Sequence, residues 1–325
     1  MLIQLLIILL GIVLVSFGAR LLVEGASSLA RRFQISDLVI GLTVVSFGTS
    51  APELVVSVIA AKNGTAEVAL GNVIGSNIVN ICVILGLTAL LHPLKIQQNT
   101  IWKEIPFSLL GVIVAFFLAS DIWLDHAPVA AISRSDGAVL LCFFVIYLYY
   151  MFEVGRLNPA FQAATPDTQD KPVWLTLGMI AGGLLALVFG GQFIVNGAVA
   201  IARQMGVSEA IIGLTLVSIG TSIPELATSV VAAVRGKADL AVGNVVGSNI
   251  FNIFFILGAS AMVAPLPVGH ITLVDFGVCV LATLLMFFGC FVSTPKVLYR
   301  IEGGVLLGLY VVYLGWLIRQ MVYPT

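Results

Sequence analysis

The residues whose type and spacing most clearly suggest chemistry are two glutamates. Each ends a six-residue motif, and the motif occurs twice. The first motif, GTSAPE, ends at Glu53, and the second, GTSIPE, ends at Glu225. Both lie inside long apolar stretches, where an ionisable side chain is costly and therefore indicates a functional site. Because proline has no N–H to donate to the carbonyl four residues earlier, Pro52 and Pro224 each predict a broken helix.

Each predicted break concentrates oxygen atoms. The prolines release the carbonyls of Gly48 and Gly220, and hydroxyl side chains stand beside them. The following apolar run of each copy carries Asn, Ser and Asn at steps of four, which places them on one helix face. The candidate ligands are Thr49, Ser50, Glu53, Ser76 and Asn80, repeated as Thr221, Ser222, Glu225, Ser248 and Asn252, and the stripes begin at Asn72 and Asn244.

Oxygen ligands of these kinds suit a hard cation. Ca²⁺ takes roughly six to eight oxygens in a forgiving geometry, whereas Mg²⁺ gives up its water reluctantly and fits less well. Two carboxylates balance one divalent cation, two monovalent cations or two protons. The motifs therefore predict a cation site at which Glu53 and Glu225 would hold a transported Ca²⁺, with no fixed cofactor.

Structural roles are the alternative for the same residues. The glutamates could serve hydrogen bonds alone, and the Thr and Ser hydroxyls could cap the half-helices that follow each proline. The glycines are expected to act by packing, because small residues four apart let helices approach closely. These are Gly48 and Gly220 at the breaks, and Gly71, Gly75, Gly243 and Gly247 along the polar stripes.

Composition predicts that membrane helices carry these motifs. Of the 325 residues, 60% are apolar and 10% are charged, whereas soluble domains carry about a quarter charged residues. Ten apolar runs approach the ~20 residues that a bilayer core requires. They are 2–23, 36–62, 67–91, 102–119, 136–153, 173–199, 208–235, 238–263, 272–292 and 300–321. The first is expected to be retained rather than cleaved as a signal, because the sixth repeats its glycine pattern.

The ten runs fall into two related halves. Residues 41–86 align without a gap with residues 213–258, with 30 identities in 46 positions. Since each half has five runs, the second half must enter the membrane in the opposite orientation. We therefore predict an all-α integral membrane protein of two inverted five-helix repeats, 1–153 and 173–325, with helices 2 and 7 broken at GTSxPE and a linker at 154–172.

Lys and Arg are distributed unevenly between the predicted connections. Eleven of them follow odd-numbered helices and four follow even-numbered ones. Because positive loops stay in the cytoplasm, we predict a multi-pass protein of the bacterial inner membrane with both termini periplasmic and the linker cytoplasmic. The net charge of −1 provides no basic surface for nucleic acid.

The other polar residues are not expected to form a site. The acids that flank the spans, Asp37, Glu104, Asp121, Asp125 and Asp136, are interpreted as charges at the membrane interface. Four cysteines in apolar runs are interpreted as packing residues, and three histidines in connecting segments as solvated side chains. The cysteines are Cys82, Cys142, Cys279 and Cys290, and the histidines are His92, His126 and His270.

The paired motifs resemble those of the cation/calcium exchanger superfamily, and the whole chain is similar to its compact prokaryotic sodium/calcium exchangers. The resemblance rests on G-[ST]-[ST]-x-P-E at 48–53 and 220–225 and on G-N-x-x-G-S-N at 71–77 and 243–249. It implies alternating access, with helices 1 and 6 sliding across a central Ca²⁺ and Na⁺ site. It also implies that carbonyls near Ser46 and Ser218 join the side-chain ligands, and that a monomer suffices for transport.

Several functions remain open at this point. Ca²⁺/Na⁺ antiport is expected first, Ca²⁺/H⁺ antiport or exchange of another divalent cation through the same carboxylates second, and a cation channel is a remote alternative. No constellation predicts an enzyme. Some relatives carry an acid where this chain has Asn252, so the amides at Asn80 and Asn252 lower the charge and make potassium co-transport less expected.

Overall fold

The protein is helical throughout most of the part described by a computed structural model, which covers residues 2–124, 126, 128–156, 171–204, 218–269, 273–292 and 296–322. Within these ranges, eight helices are long and apolar enough to cross a membrane, and one bent pair makes a ninth. The predicted all-helical membrane protein is confirmed. The count of ten stays a prediction, because the start of predicted helix 7 and most of the linker lie outside the described residues.

The described helices follow the predicted runs closely. Before the linker they are α1 (Leu2–Phe33), α2 (Asp37–Ile40), α3 (Ser46–Thr49), α4 (Ala51–Lys62), α5 (Ala66–Val79), α6 (Gly86–Leu91), α7 (Ile105–Leu118), α8 (Asp121–Leu124) and α9 (Arg134–Arg156). After it they are α10 (Val173–Gln204), α11 (Ser218–Thr221), α12 (Ile223–Val234), α13 (Ala238–Ile250), α14 (Gly258–Val263), α15 (Leu273–Val292) and α16 (Arg300–Val322).

Short π-helical stretches interrupt the spans. A π-helical turn holds an extra residue and so redirects the side chains that follow it, frequently at a functional site. One stretch joins α2 to α3, one joins α5 to α6, one precedes α7, and one joins α13 to α14. They are Gly41–Val45, Asn80–Leu85, Thr100–Glu104 and Phe251–Leu257.

Helices α1 and α10 form a long antiparallel pair. Gly11 lies against Gly190, and Gly18 lies against Gly183, so closely that a Cβ at either first position would come within 2.7 Å of the facing carbonyl oxygen. Small residues at such a seam let two membrane helices touch through their backbones. The two helices therefore pack through their backbones and present an apolar surface to the rest of the protein.

The two halves meet at both ends of the bundle. At one end Leu94–Lys95 (β1) pairs antiparallel with Val297–Leu298 (β4). At the other end Ala131–Ile132 (β2) pairs with Leu266–Pro267 (β3). The first pair joins connections that follow odd-numbered helices, and the second joins connections that follow even-numbered ones, as the alternation of spans requires.

Ionic contacts gather at the end marked by β1 and β4. The Arg235 guanidinium lies 2.7 Å from the Glu24 carboxylate, and the Lys237 ammonium lies 2.8 Å from the Asp37 carboxylate. Both basic residues belong to the turn between α12 and α13, whereas Glu24 belongs to α1. This turn therefore links the α1–α10 pair to the start of the first broken helix.

Helix α13 lies at the centre of the bundle. Every residue from Leu240 to Ile250 is buried, and the π-helical continuation adds Phe254, whose fully buried ring contacts Phe107 and Phe143. Such close packing fixes the elements around it. Of the cysteines predicted to pack, Cys82, Cys279 and Cys290 are buried.

Two sequence predictions about individual residues are wrong. Cys142 is exposed on the outer surface of α9 rather than packed. Glu104 is not an interfacial charge, because it is 1% exposed and accepts a hydrogen bond from the Tyr150 hydroxyl on α9. The histidine prediction holds for His92 and His126, which lie outside helices, while His270 falls outside the described residues.

Candidate ion-binding site

The first GTSxPE motif lies at a sharp bend. The segments Asp37–Thr49 and Ala51–Lys62 meet at 47°, and Ser50 between them leaves helical geometry with φ −83° and ψ 8°. Pro52 stands in the first turn of α4, where its missing N–H is tolerated. Thr49, Ser50 and Glu53 are all buried.

The second motif has the same local geometry in its described part. Ser222 separates α11 from α12 with φ −88° and ψ 6°, and Pro224 again stands in the first turn. Glu225 is buried to the same degree as Glu53. Ser218 begins α11, and the residues before it lie outside the described part of the chain.

Serine hydroxyls join the two motifs across the centre of the protein. Ser50 Oγ donates to Glu225 Oε1 at 2.9 Å, and Ser222 Oγ donates to Glu53 Oε1 at 3.4 Å. Each glutamate is thus oriented by a hydroxyl from the other half of the chain. Neither serine caps the helix that follows it, so capping, the structural alternative for these two residues, is wrong.

Asparagines at the start of the polar stripes brace the two breaks. Asn72 Nδ2 donates to the Glu53 carbonyl at 3.3 Å and to Ser57 Oγ at 2.9 Å. In the second copy, Asn244 Nδ2 donates to the Glu225 carbonyl at 3.3 Å and to a serine on α12 at 3.0 Å. These amides tie the first turn of each half-helix to the polar stripe of the same copy.

The threonine of the first motif links the break to α13. Thr49 Oγ1 lies 3.1 Å from Asn244 Oδ1, to which it donates, and 3.4 Å from the Ser46 carbonyl. Its hydroxyl oxygen therefore sits between the first half-helix and the polar stripe of the second copy. Thr221, its repeat, makes contacts of its own within the site.

A ring of four asparagines joins α5 to α13, and sequence reasoning missed its function. Asn80 Nδ2 donates to Asn249 Oδ1 at 3.0 Å, and Asn252 Nδ2 donates to Asn77 Oδ1 at 3.0 Å. Asn77 and Asn249 in turn donate to each other's backbone carbonyls at 3.3 and 3.5 Å. The N-x-x-N spacing present in both copies is the signal that could have shown the ring.

Five buried side-chain oxygens of the candidate set have no hydrogen-bond partner within the described residues. They are Glu53 Oε2, Glu225 Oε2, Asn80 Oδ1, Asn252 Oδ1 and Ser248 Oγ. A buried polar atom without a partner costs about 1–3 kcal/mol, and more when it is charged. The amide nitrogens and the Oε1 atoms are used for positioning, so the unpartnered oxygens are all acceptors. Ser76, the repeat of Ser248, is buried as well.

Glycines let α13 press against the first broken helix. A Cβ at Gly243 would lie 2.8 Å from the Leu38 carbonyl oxygen, and one at Gly247 would lie 2.7 Å from the Leu42 Cα and from Ser46 Oγ. The predicted close approach is therefore made between α13 and the broken helix of the other copy. For Gly75 no described atom lies within 4 Å, and the residues related to its partners by the repeat are at 214–218, almost all outside the described part.

The glycines at the breaks face α10 instead. A Cβ at Gly48 would lie 2.6 Å from both methyl carbons of Leu184, and Gly220 lies directly against the Val195 side chain. Both breaks therefore touch the α1–α10 pair. Among the described residues, no group of three or more His, Cys, Asp and Glu side chains is placed to hold a metal ion. Glu53 and Glu225 are therefore the two carboxylates of the candidate site in the described part of the chain.

Comparison with known proteins identifies the family. The model of the sodium/calcium exchanger protein family matches residues 3–153 and 175–319. The chain is 38% identical to the putative antiporter CaxA of Alkalimonas amylolytica over 96% of this chain and 98% of that one. It is 31% identical to the sodium/calcium exchanger MaX1 of Methanosarcina acetivorans over 95% and 97%.

A solved structure has the same architecture. The sodium-calcium exchanger NCX_Mj superposes with a TM-score of 0.82 at 33% identity, covering 97% of this chain and 98% of that one. The match extends through both halves, including both copies of the motif. The chain therefore belongs to the sodium/calcium exchanger family and is a multi-pass membrane antiporter of that family.

Proposed function

We propose that the protein exchanges Ca²⁺ for Na⁺ by alternating access at the site between the two GTSxPE motifs. The observation that carries the proposal is the set of five unpartnered buried oxygens. They come from both copies of the repeat, and the two glutamates and two asparagines among them are each held by a hydrogen bond through their other polar atom. A cation would supply the partner that these oxygens lack.

The charge of the site suits this exchange. Glu53 and Glu225 together balance one Ca²⁺, and the same two charges balance two Na⁺ when Ca²⁺ leaves. Thr49, Thr221, Ser50 and the two stripe serines would add neutral oxygens. The carbonyl of Ser46, which Thr49 approaches at 3.4 Å, is a further ligand in this proposal, as is the carbonyl of its repeat, Ser218.

The α1–α10 pair is the moving part in this mechanism. Its helices contact each other through glycines along their length and touch both breaks at Gly48 and Gly220. Sliding of this pair would expose the site first to one side of the membrane and then to the other. The Arg235–Glu24 ion pair would have to break or adjust during that movement.

The architecture proposed for this function is two inverted five-helix repeats, 1–153 and 173–325, with both termini outside the cytoplasm. The symmetry of the asparagine ring supports it, because the matched bonds join residues related by the repeat. The glutamate of each half accepts a hydrogen bond from the serine of the other half. One chain thus contains a complete site, and a monomer would suffice for transport.

Exchange of Ca²⁺ for H⁺ is the second candidate function. Carboxylates can carry protons as well as bind Na⁺, and the two glutamates already have hydroxyl partners on one oxygen each. Two bound protons would neutralise the two carboxylates as completely as two bound Na⁺ would. The geometry favours Na⁺ because the site also holds unpartnered amide and hydroxyl oxygens, which ligate a metal cation and do not take up protons at neutral pH.

Transport into proteoliposomes tests the proposal directly. With ⁴⁵Ca²⁺ outside, an outward Na⁺ gradient should drive uptake, whereas a pH gradient without Na⁺ should not. Glu53→Gln should abolish uptake, while Asp121→Asn, which removes an acid that bonds only the Ala131 N–H in the described structure, should retain it. The proposal would be refuted if uptake did not depend on the Na⁺ gradient and persisted in Glu53→Gln.

A further inference from the structure

A further buried acid lies outside the central site, in the π-helical stretch that precedes α7. Glu104 is 1% exposed, and its Oε1 accepts a hydrogen bond from the Tyr150 hydroxyl. Its Oε2 is buried and has no hydrogen-bond partner among the described residues. Nothing in the proposed exchange uses this residue.

A second unpartnered oxygen stands on the same face of the helix. Thr100 is fully buried, and its Oγ1 also has no partner in the described part of the chain. Thr100 and Glu104 begin and end the π-helical stretch. A π-helical turn holds more than four residues, so positions four apart lie nearly above each other on one face.

The charge of Glu104 is not balanced by the protein. No described Lys, Arg or His nitrogen lies within ion-pair distance of its carboxylate. The nearest basic neighbour in sequence, Lys103, is exposed and points its ammonium at the Tyr150 ring, 5.7 Å from the centroid. An uncompensated buried charge is strongly destabilising.

We propose that Thr100, Glu104 and Tyr150 form a second cation site that binds one Na⁺. One carboxylate balances one monovalent ion, and a divalent ion would leave an excess positive charge in a buried place. The ligands are hard oxygens, namely Glu104 Oε2, Thr100 Oγ1 and the Tyr150 hydroxyl oxygen, whose proton is already donated to Oε1. The site is separate from the central one, because no residue is shared between them.

The second half of the chain offers a comparison. Asp275 at the start of α15 is buried and accepts a hydrogen bond from Tyr313 on α16 at 2.6 Å. The acid–tyrosine contact therefore occurs in both halves. The two acids differ in their second oxygen: Glu104 has a buried carboxylate oxygen without a partner among the described residues, whereas Asp275 has a further contact besides Tyr313. Asp275 is accordingly a matched control for the proposed site.

Equilibrium binding of ²²Na⁺ to purified protein tests the site without relying on transport. The background is Glu53→Gln/Glu225→Gln, in which the central carboxylates are neutral. We expect about one Na⁺ per chain to remain bound in this background. Adding Glu104→Gln should abolish that binding, adding Thr100→Val should weaken it at least tenfold, and adding Asp275→Asn should leave it unchanged.

A second measurement uses the protein without changes in the central site. Saturating Ca²⁺ should displace Na⁺ from the central site and leave one ²²Na⁺ bound, and Glu104→Gln alone should remove that ion. The proposal is overturned if no Na⁺ remains bound in either experiment, if Glu104→Gln retains the bound Na⁺, or if Asp275→Asn removes it. Failure of Ca²⁺ to displace any Na⁺ would count against the central exchange, and the variant background still decides the second site.

Discussion

Gly247 is the position at which a single methyl group should reveal the geometry of the central site. In Gly247→Ala the new Cβ would lie 2.7 Å from both the Leu42 Cα and Ser46 Oγ, and 2.8 Å from the Leu42 carbonyl oxygen. Ordinary contacts begin near 3.4 Å, so α13 and the first broken helix must separate by about 0.7 Å. Two of these three atoms belong to backbone, which cannot rotate away.

The separation has two calculable effects. Overpacking lowers the free energy of unfolding by about 1–3 kcal/mol, and the higher helix propensity of alanine offsets up to about 1 kcal/mol of that loss. A net loss of about 1–2 kcal/mol should lower the melting temperature by roughly 2–6 °C. The Thr49–Asn244 hydrogen bond spans the same contact at 3.1 Å. Its loss should weaken Ca²⁺ binding about fivefold, since a hydrogen bond contributes about 1 kcal/mol.

Thermal unfolding in detergent and equilibrium ⁴⁵Ca²⁺ binding measure the two effects separately. Gly304→Ala is the matched control, because Gly304 is an exposed helical glycine with no atom near its Cβ position. That change should leave Ca²⁺ binding unaltered and should stabilise the protein by up to about 1 kcal/mol through helix propensity. If Gly247→Ala melts no lower than the control and binds Ca²⁺ with the same dissociation constant, the close approach of α13 to the broken helix does not position the site.

Three further changes test other parts of the reasoning. Glu225→Gln removes one of two balancing charges and should weaken Ca²⁺ binding by about two to four orders of magnitude, as ⁴⁵Ca²⁺ titration would show. Asn77→Leu leaves the Asn252 amide without its acceptor and should lower the free energy of unfolding by about 1–3 kcal/mol. Gly18→Leu inserts a side chain against the Gly183 carbonyl and should stop Na⁺-driven ⁴⁵Ca²⁺ uptake, whereas equilibrium Ca²⁺ binding should change little.

The sequence predicted which residues would gather but not which copy each would contact. Repetition of the motif and steps of four along a helix identified the glutamates, the hydroxyls and the polar stripes, and the structure brings them together. Spacing describes one helix at a time, however, so it could not show that Ser50 serves Glu225 or that Ser222 serves Glu53. Those bonds depend on how the two halves dock.

The same limitation explains the residues that were misplaced. Glu104 was expected at the membrane interface because it stands near the end of an apolar run. Its burial depends on Tyr150, which lies 46 positions later on another helix. Asn72 was expected in the ion-facing stripe, and its amide instead holds the carbonyl of Glu53. A polar side chain beside a proline break can face the ion or bond the backbone of the neighbouring helix, and periodicity alone does not separate the two.

The reciprocal contacts also indicate why the site needs both halves. Without the second half, Glu53 would lose the Ser222 hydroxyl and Asn80 would lose the acceptor for its amide. Once the halves dock, each positioning atom has a partner from the other half, and the oxygens left over are those that a cation would require. In the proposed site, positioning and ligation are therefore divided between different atoms of the same glutamate and asparagine side chains. It follows that a change of amide to acid at Asn80 or Asn252 would alter both at once, by adding charge and by removing the nitrogen that closes the asparagine ring.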